Sequence, residues 1–380
     1  MSMSDRNNIF ERATKLYEDA MSRATGQLER DELGSRLERT YDSIVENSKD
    51  VLHRSLEDRA PQMLKDWRRT RKKFEKNVLK RWGKAFDALH IVYVIAYEMG
   101  EQFNREQRPL AAMDRDMVFE ALVGLHTRAC LATSEAMALL RSGHPSGAMA
   151  RWRTIHECAV VASIIGDNGR KEPFSDLAER YLLHDTIQNE RDARSYQANH
   201  ESLGVEPLSD EELTDMKEAV DELVTRFGAT YKENYGWARP LFPEFPKRRQ
   251  VQFRDLEDLA HLDHVRPYYG RANHDIHADS KGARLNRIEF EGTQMLLAGP
   301  IASGLTDPGQ WTATSLYQVT VSLILLGRPQ ITDASDVPSL EVLNEFVDSA
   351  CELFFAAETK PGGNQPQAYD SDPSNDQFAT

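Results

Sequence analysis

The chain has 380 residues, 40% hydrophobic and 28% charged, with a net charge of −14. That length supports a sizeable core and two or three domains, while the acidity argues against a protein that binds nucleic acid over its whole surface. Three widely spaced cysteines, Cys130, Cys158 and Cys351, do not form a disulfide framework or a zinc knuckle and read as small buried hydrophobes.

The opening residues, MSMSDRNNIFER, lack the basic-then-apolar layout of a signal peptide. No apolar run approaches the roughly 20 residues that span a bilayer. The expected setting is the cytoplasm, without membrane contact. Apolar residues at helical spacing (Leu33, Leu37, Tyr41, Ile44) run through 5–60, Pro61 interrupts them, and a second helix is expected over 62–101. Residues 1–105 therefore read as a helical hairpin or arm, partly coiled-coil in character. Pro109 marks a boundary, residues 115–358 a helical bundle, and the polar, Pro/Gly-rich 359–380 a disordered tail. The fold class is all-α.

Within the arm, KDWRRTRKKFEKNVLKRWGK (65–84) carries ten Lys or Arg. Trp67, Phe74, Val78, Trp82, Phe86 and Leu89 make one helical stripe for a core or a partner. Arg68, Arg69, Arg71, Lys72, Lys73, Lys76, Lys80 and Arg81 fill the remaining face. That face is either simply solvated or a contact for nucleic acid or an acidic partner, and its concentration in an otherwise acidic chain is the informative point.

From 115 the helices become more apolar. One ends at Gly143, and the next starts at Ser146 and stops at Gly166. A third starts at Ser175, and a fourth opens with a Ser209–Glu212 capping box. The aromatic, proline-rich stretch 228–250 reads as a lid, clamp or partner surface. Helix resumes near Phe253, and Pro267 suits the first turn of another. IEFEGTQMLLAG is either a strand or a turn of helix, and two closing helices cover about 309–327 and 338–358.

PYYGRANHDIHADSKG (267–282) is the densest chemical stretch. If 267–279 is helical, Arg271, His274 and His277 share one ridge, with Asn273 and Tyr269 beside it. A guanidinium that holds phosphate and imidazoles that move protons near pH 7 are the minimum set for cutting an RNA phosphodiester without metal. Three other readings stand beside it. One is a buried polar network. The second is a metal site on His261/His264 and His274/His277. The third is an HD-type phosphohydrolase built on His184-Asp185 and His274-Asp275. A second cluster, Arg153, His156 and Glu157 with His126, Arg128 and Glu135, lies in the most apolar part of the chain, so its groups should be paired. It either fixes helix register or joins Arg271 at a phosphate.

The strings HTRACLATSEAMALLRSGHPSGAMARWRTIHE and YYGRANHDIHADSKG, within about 118–285, resemble a bacterial family known only as a domain of unknown function. More loosely, Arg271 and His277, with five residues between them, resemble the R-x(4–6)-H signature of the HEPN superfamily, helical nucleotide-binding domains that include metal-independent ribonucleases of toxin and phage-defence systems. Ala272 follows the arginine where those proteins carry Asn, Asp or His. The resemblance implies a homodimer with Arg271 and His277 near its two-fold axis. It implies a site in which Arg271 binds the scissile phosphate, His277 acts as general acid or base, and His274 and Asn273 assist. Arg153, Glu157, His156 and Tyr269 would support it, RNA would be the partner, and neither cofactor nor metal would be required. The alternative is a non-catalytic scaffold that oligomerises through its arm and docks a partner protein on 228–250.

Overall fold

The computed structural model describes Lys15, Asp19, Ser22 and Arg23 and residues 26–246, 248–277, 280–282, 287–290, 293–329 and 336–360. The chain divides into two compact units, Met1–Lys76 with Gln367–Thr380, and Asn77–Pro366. The fold is all-α, with one short β-hairpin among the described residues. No helix among those residues is long and apolar enough to cross a membrane.

Helix α1 (Gln27–Asp114) runs unbroken for 88 residues. Neither Pro61 nor Pro109 ends it, so over this span the segment is one helix and not a hairpin. A proline removes one backbone hydrogen bond and crowds the preceding turn, and the remaining bonds of so long a helix carry that cost. In the first unit Tyr41 is exposed, while the side chains of Leu33, Leu37 and Ile44 lie outside the described residues. The expected tail falls almost wholly on 361–380, also outside them.

In the second unit the later part of α1 buries Val78, Trp82, Phe86 and Leu89. α2 (Met117–Arg141) is capped by Asp116, whose side chain accepts from the Phe119 amide at 3.0 Å. α3 (Pro145–Asn168) begins at Pro145, not at Ser146. It also runs through Gly166 instead of stopping there: a side chain at 166 would come within 2.7 Å of Leu326, so this glycine serves close packing rather than helix termination. The helix predicted from Ser175 is two, α4 (Leu177–Leu183) and α5 (Asp185–Leu203). α6 (Asp210–Phe227) opens with the Ser209–Glu212 capping box. α7 (Phe253–Leu259) and α8 (Arg266–Ile276) follow, with Pro267 in the first turn of α8. Strands β1 (Arg287–Phe290) and β2 (Thr293–Leu296) pair antiparallel, Arg287 opposite Leu296 and Phe290 opposite Thr293. α9 (Thr306–Val321) leads into a π-turn, Ser322–Leu326, and α10 (Asp336–Thr359) closes the bundle.

α2, α3 and α9 form the centre, each packed on the other two, with α10 over α9. Phe354 of α10 meets the rings of Trp82 and Phe86 at 6.1 and 6.0 Å. Cys130 and Cys158 are buried and Cys351 is half-buried; burial pushes the first two thiols up to about 12, which keeps them unreactive.

The 228–250 stretch turns most of its aromatics inward. Tyr231, Trp237 and Phe242 are buried, the Tyr231 hydroxyl donates to the Arg180 carbonyl at 2.7 Å, and Trp237 meets Tyr181 edge-on at 5.2 Å. Gly236 permits this fold-back, since a Cβ there would lie 2.4 Å from the Thr230 and Tyr231 carbonyl oxygens. The stretch is a wall of the bundle, not an open lid, because its aromatic rings gain more from burial than from display.

Candidate functional site

α8 packs against α3, and polar groups join them. Arg153 donates through Nε to Glu157 Oε1 at 2.9 Å and through Nη1 to Asn273 Oδ1 at 2.8 Å. The Tyr269 hydroxyl donates to the same Glu157 oxygen at 2.6 Å, and the Arg153 guanidinium lies 4.6 Å from the centre of the Tyr269 ring. Burial, with the Glu157 carboxylate second, raises the Tyr269 phenol above its ordinary range, so it stays a donor. Burial works against the Arg153 charge, but Tyr269 and Glu157 outweigh it.

One turn deeper, His156 Nε2 meets Glu257 Oε1 at 3.0 Å, both side chains 0% exposed. Arg266 pairs with the other Glu257 oxygen. The His156 ring stacks on Trp152 at 5.5 Å and touches Phe253 and Tyr269. Its Nδ1 has no hydrogen-bond partner among the described residues. Facing the carboxylate, Nε2 carries the proton of this bond, and Nδ1 faces aromatic surface. Nothing in the residue pattern singles out Glu257 or Arg266; the nearest signal is the acidic pair Glu257-Asp258 between two leucines, before the Pro267 helix start.

The other side of α8 is open. Arg271 is 57% exposed and pairs with Asp307, at the start of α9, at 2.9 Å. His277 does not share its ridge. The helix ends at Ile276, and His277, at ψ 143°, is extended and exposed. The expected single row of Arg271, His274 and His277 is thus cut by the chain leaving the helix. His274 is half-buried and, with Arg271, favours the ionised form of Asp275, whose carboxyl is raised by burial despite its bond to Ser146. A shallow pocket of about 340 Å³ lies beside this end of α8, lined by Ala150, Arg151, Arg153, Thr154, Glu157 and Ile276.

Arg153 and Glu157 therefore join Asn273 and Tyr269 rather than Arg271. Of the other polar residues, Glu135 pairs with Arg151 at 3.3 Å, His126 is buried against Thr320, and Arg128 is exposed. His184 donates into the 228–250 wall, to the carbonyls of Tyr231 and Glu233 at 3.1 and 2.9 Å, so its ring is engaged in holding that segment. His261 and His264 are exposed, and among the described residues no group of three or more His, Cys, Asp or Glu is placed to hold a metal ion.

On α1, Arg68, Arg69, Lys72, Lys73, Lys76 and Lys80 are exposed. Arg71 pairs with Glu75 at 2.8 Å. Arg81 is not part of an open face: its Nη2 donates to the Glu358 carbonyl at 2.6 Å, satisfying the last turn of α10.

Residues 119–294 match the profile of a family described as a family of unknown function, DUF5677. That stretch holds α3, α8 and every residue of the Arg153–Glu157–Tyr269–Asn273 cluster. No curated protein and no solved structure matches the chain.

Proposed function

We propose that this protein acts on nucleic acid, most concretely as a metal-independent endoribonuclease of HEPN-like type with a toxin or phage-defence role. The reading rests on one observation: α8 has a fixed back and an open front. Tyr269 and Asn273 are held by Glu157 and Arg153, while Arg271, between them in sequence, is exposed. A guanidinium carried on an anchored helix is preorganised for a phosphate. Its present partner, Asp307, is held only by an exposed ion pair worth about 1 kcal/mol or less, which a bidentate phosphate can displace.

In this reading an imidazole, His277 or His274, takes the proton of a ribose 2′-hydroxyl. The O2′–P bond forms and the P–O5′ bond breaks. The leaving 5′-oxygen takes a proton, giving a 2′,3′-cyclic phosphate and a 5′-hydroxyl. Arg271 stabilises the charge that builds on phosphorus. Since His277 has left the Arg271 ridge, the pair is completed where two copies bring their α8 helices together, and the exposed bases of α1 guide the RNA. The site would lie in the cytoplasm.

The test incubates the purified full chain with total RNA, with and without excess chelator, beside Arg271→Ala and His277→Ala. Cleavage that survives chelator and is lost in both variants is expected. Intact RNA, or cleavage unchanged in Arg271→Ala, would remove the reading. A non-catalytic scaffold is the second reading, favoured by large apolar side chains exposed along α1; there, deleting 1–105 would matter more than either α8 substitution.

A further inference from the structure

Most of the exposed apolar residues described in the first unit fall on one stripe; Val51 and Leu64 lie beside it. Tyr41, Val45, Leu52, Leu56, Met63 and Trp67 alternate steps of four and seven, so Tyr41, Leu52 and Met63 repeat every eleven residues, as do Val45, Leu56 and Trp67. All six lie in α1. Five are 40 to 56% exposed, and Leu52 is half-buried. Eleven residues make three turns at 3.67 residues per turn, a period that keeps a stripe on one face of a helix wound in a gentle right-handed supercoil. A concentration of large apolar side chains on one helix face marks an interaction surface. A strict period along it fits another helix of equal period better than an irregular groove.

We infer that this face binds a second copy of the same helix, antiparallel, centred on Arg54. The inference deepens the scaffold reading and does not depend on cleavage by α8. Two features of the sequence select the arrangement. First, the stripe is symmetric about Arg54. In an antiparallel pair Tyr41 comes opposite Trp67, Val45 opposite Met63, and Leu52 opposite Leu56, so every apolar residue meets one. Second, charge decides against the parallel alternative, which would match the apolar residues equally well. Lys65, Arg68, Arg69, Lys72, Lys73 and Lys76 sit at one end of the stripe. A parallel pair would press this block against its own copy. An antiparallel pair carries the two blocks to opposite ends, about 50 Å apart at 1.5 Å per residue. That is several times the ~8 Å screening length at physiological salt. Each block then lies along 32–43, where Glu32, Glu38 and Asp42 outnumber Arg36 and Arg39, so it no longer faces a cationic run.

The test uses the full chain with Cys351→Ser, leaving only the two buried native thiols. Tyr41→Cys and Trp67→Cys are prepared separately, then oxidised alone and mixed. Positions 41 and 67 are about 39 Å apart along one helix, so the two arrangements give exclusive products. Expected are a mixed 41–67 disulfide, no self-linked species from either variant alone, and a twofold drop in molar mass in solution for Leu56→Glu with Met63→Glu at unchanged helicity. Self-linkage of Tyr41→Cys alone would overturn the antiparallel arrangement. A wild-type chain whose mass is unaffected by the Leu56 and Met63 changes, with no mixed link, would overturn pairing altogether. Both readouts are taken without RNA, so their failure is distinguishable from a failure of the α8 reading.

Discussion

Arg153 holds Asn273 at 2.8 Å, tying α8 to the central helix α3 across 120 positions of sequence. Arg271, two residues earlier on the same helix, makes an exposed bond to Asp307 and faces the Asp275 carboxylate. The two residues should therefore respond differently to truncation. Asn273→Ala removes a bond to a charged donor and should lower stability by about 1.5–3 kcal/mol. Arg271→Ala should cost about 1 kcal/mol or less. Urea unfolding of both variants checks the contrast. Equal losses would mean that α8 is not divided into a held side and an open one.

Asp307 competes with any anion for Arg271. Asp307→Asn should raise the affinity for single-stranded RNA and steepen its dependence on salt, because one more cation is free to meet phosphate. Fluorescence anisotropy with a labelled oligonucleotide across a salt series would show this. An unchanged affinity would separate Arg271 from phosphate binding.

The His156–Glu257 pair is fully buried, and Glu257 also pairs with Arg266. Glu257→Ala strands both His156 and Arg266 and should cost about 3–5 kcal/mol, whereas His156→Ala leaves Glu257 its Arg266 partner and should cost less. His156→Phe together with Glu257→Met should cost less than Glu257→Ala alone, because both polar groups leave at once and Arg266 can turn to water. Denaturant melts of the three proteins test this ordering.

Gly100 sits against the His126 ring: a Cβ there would be 2.2 Å from Cε1 and 2.6 Å from Nδ1. Alanine improves helix propensity by about 1 kcal/mol, but the overlap is with a buried ring that also meets Thr320. Gly100→Ala should destabilise the protein by about 1–3 kcal/mol net. Most of that loss should disappear in a His126→Ala background, and a double-mutant cycle on thermal unfolding measures it.

Burial lowers His126 from 6.5 to about 4, with the Ala96 carbonyl opposing the shift. The folded protein favours the neutral ring, so on acidification the unfolded chain takes up the proton first. This contribution is whole above about pH 6.5 and is lost as the pH falls towards 4, amounting to about 3 kcal/mol. His126→Leu should flatten the acid limb of the stability–pH curve by about that amount. An identical limb would place the acid sensitivity elsewhere, the buried His184 being next, since burial lowers it as well.

Much of the helical framework was legible in the residues. The Ser209–Glu212 capping box, the Pro267 helix start, and the burial of Val78, Trp82, Phe86 and Leu89 all depend on neighbours within a turn or two. Two expectations fail on long-range context: Pro61 is absorbed by a long helix, and the missing side chain of Gly166 makes room for Leu326 rather than ending α3. His277 does not reach the ridge that its spacing predicts, because nothing local marks Ile276 as the last helical residue.

Residue spacing settled that the chain folds as helices and which faces of them are apolar, since both follow from interactions along one turn. Only the tertiary structure decided that Arg153 meets Asn273 and not Arg271, and that His156 meets Glu257, 101 positions away. Such pairings depend on how helices approach one another and which side each turns inward. Those angles come from the packing of the whole core and leave no periodic trace in any single segment.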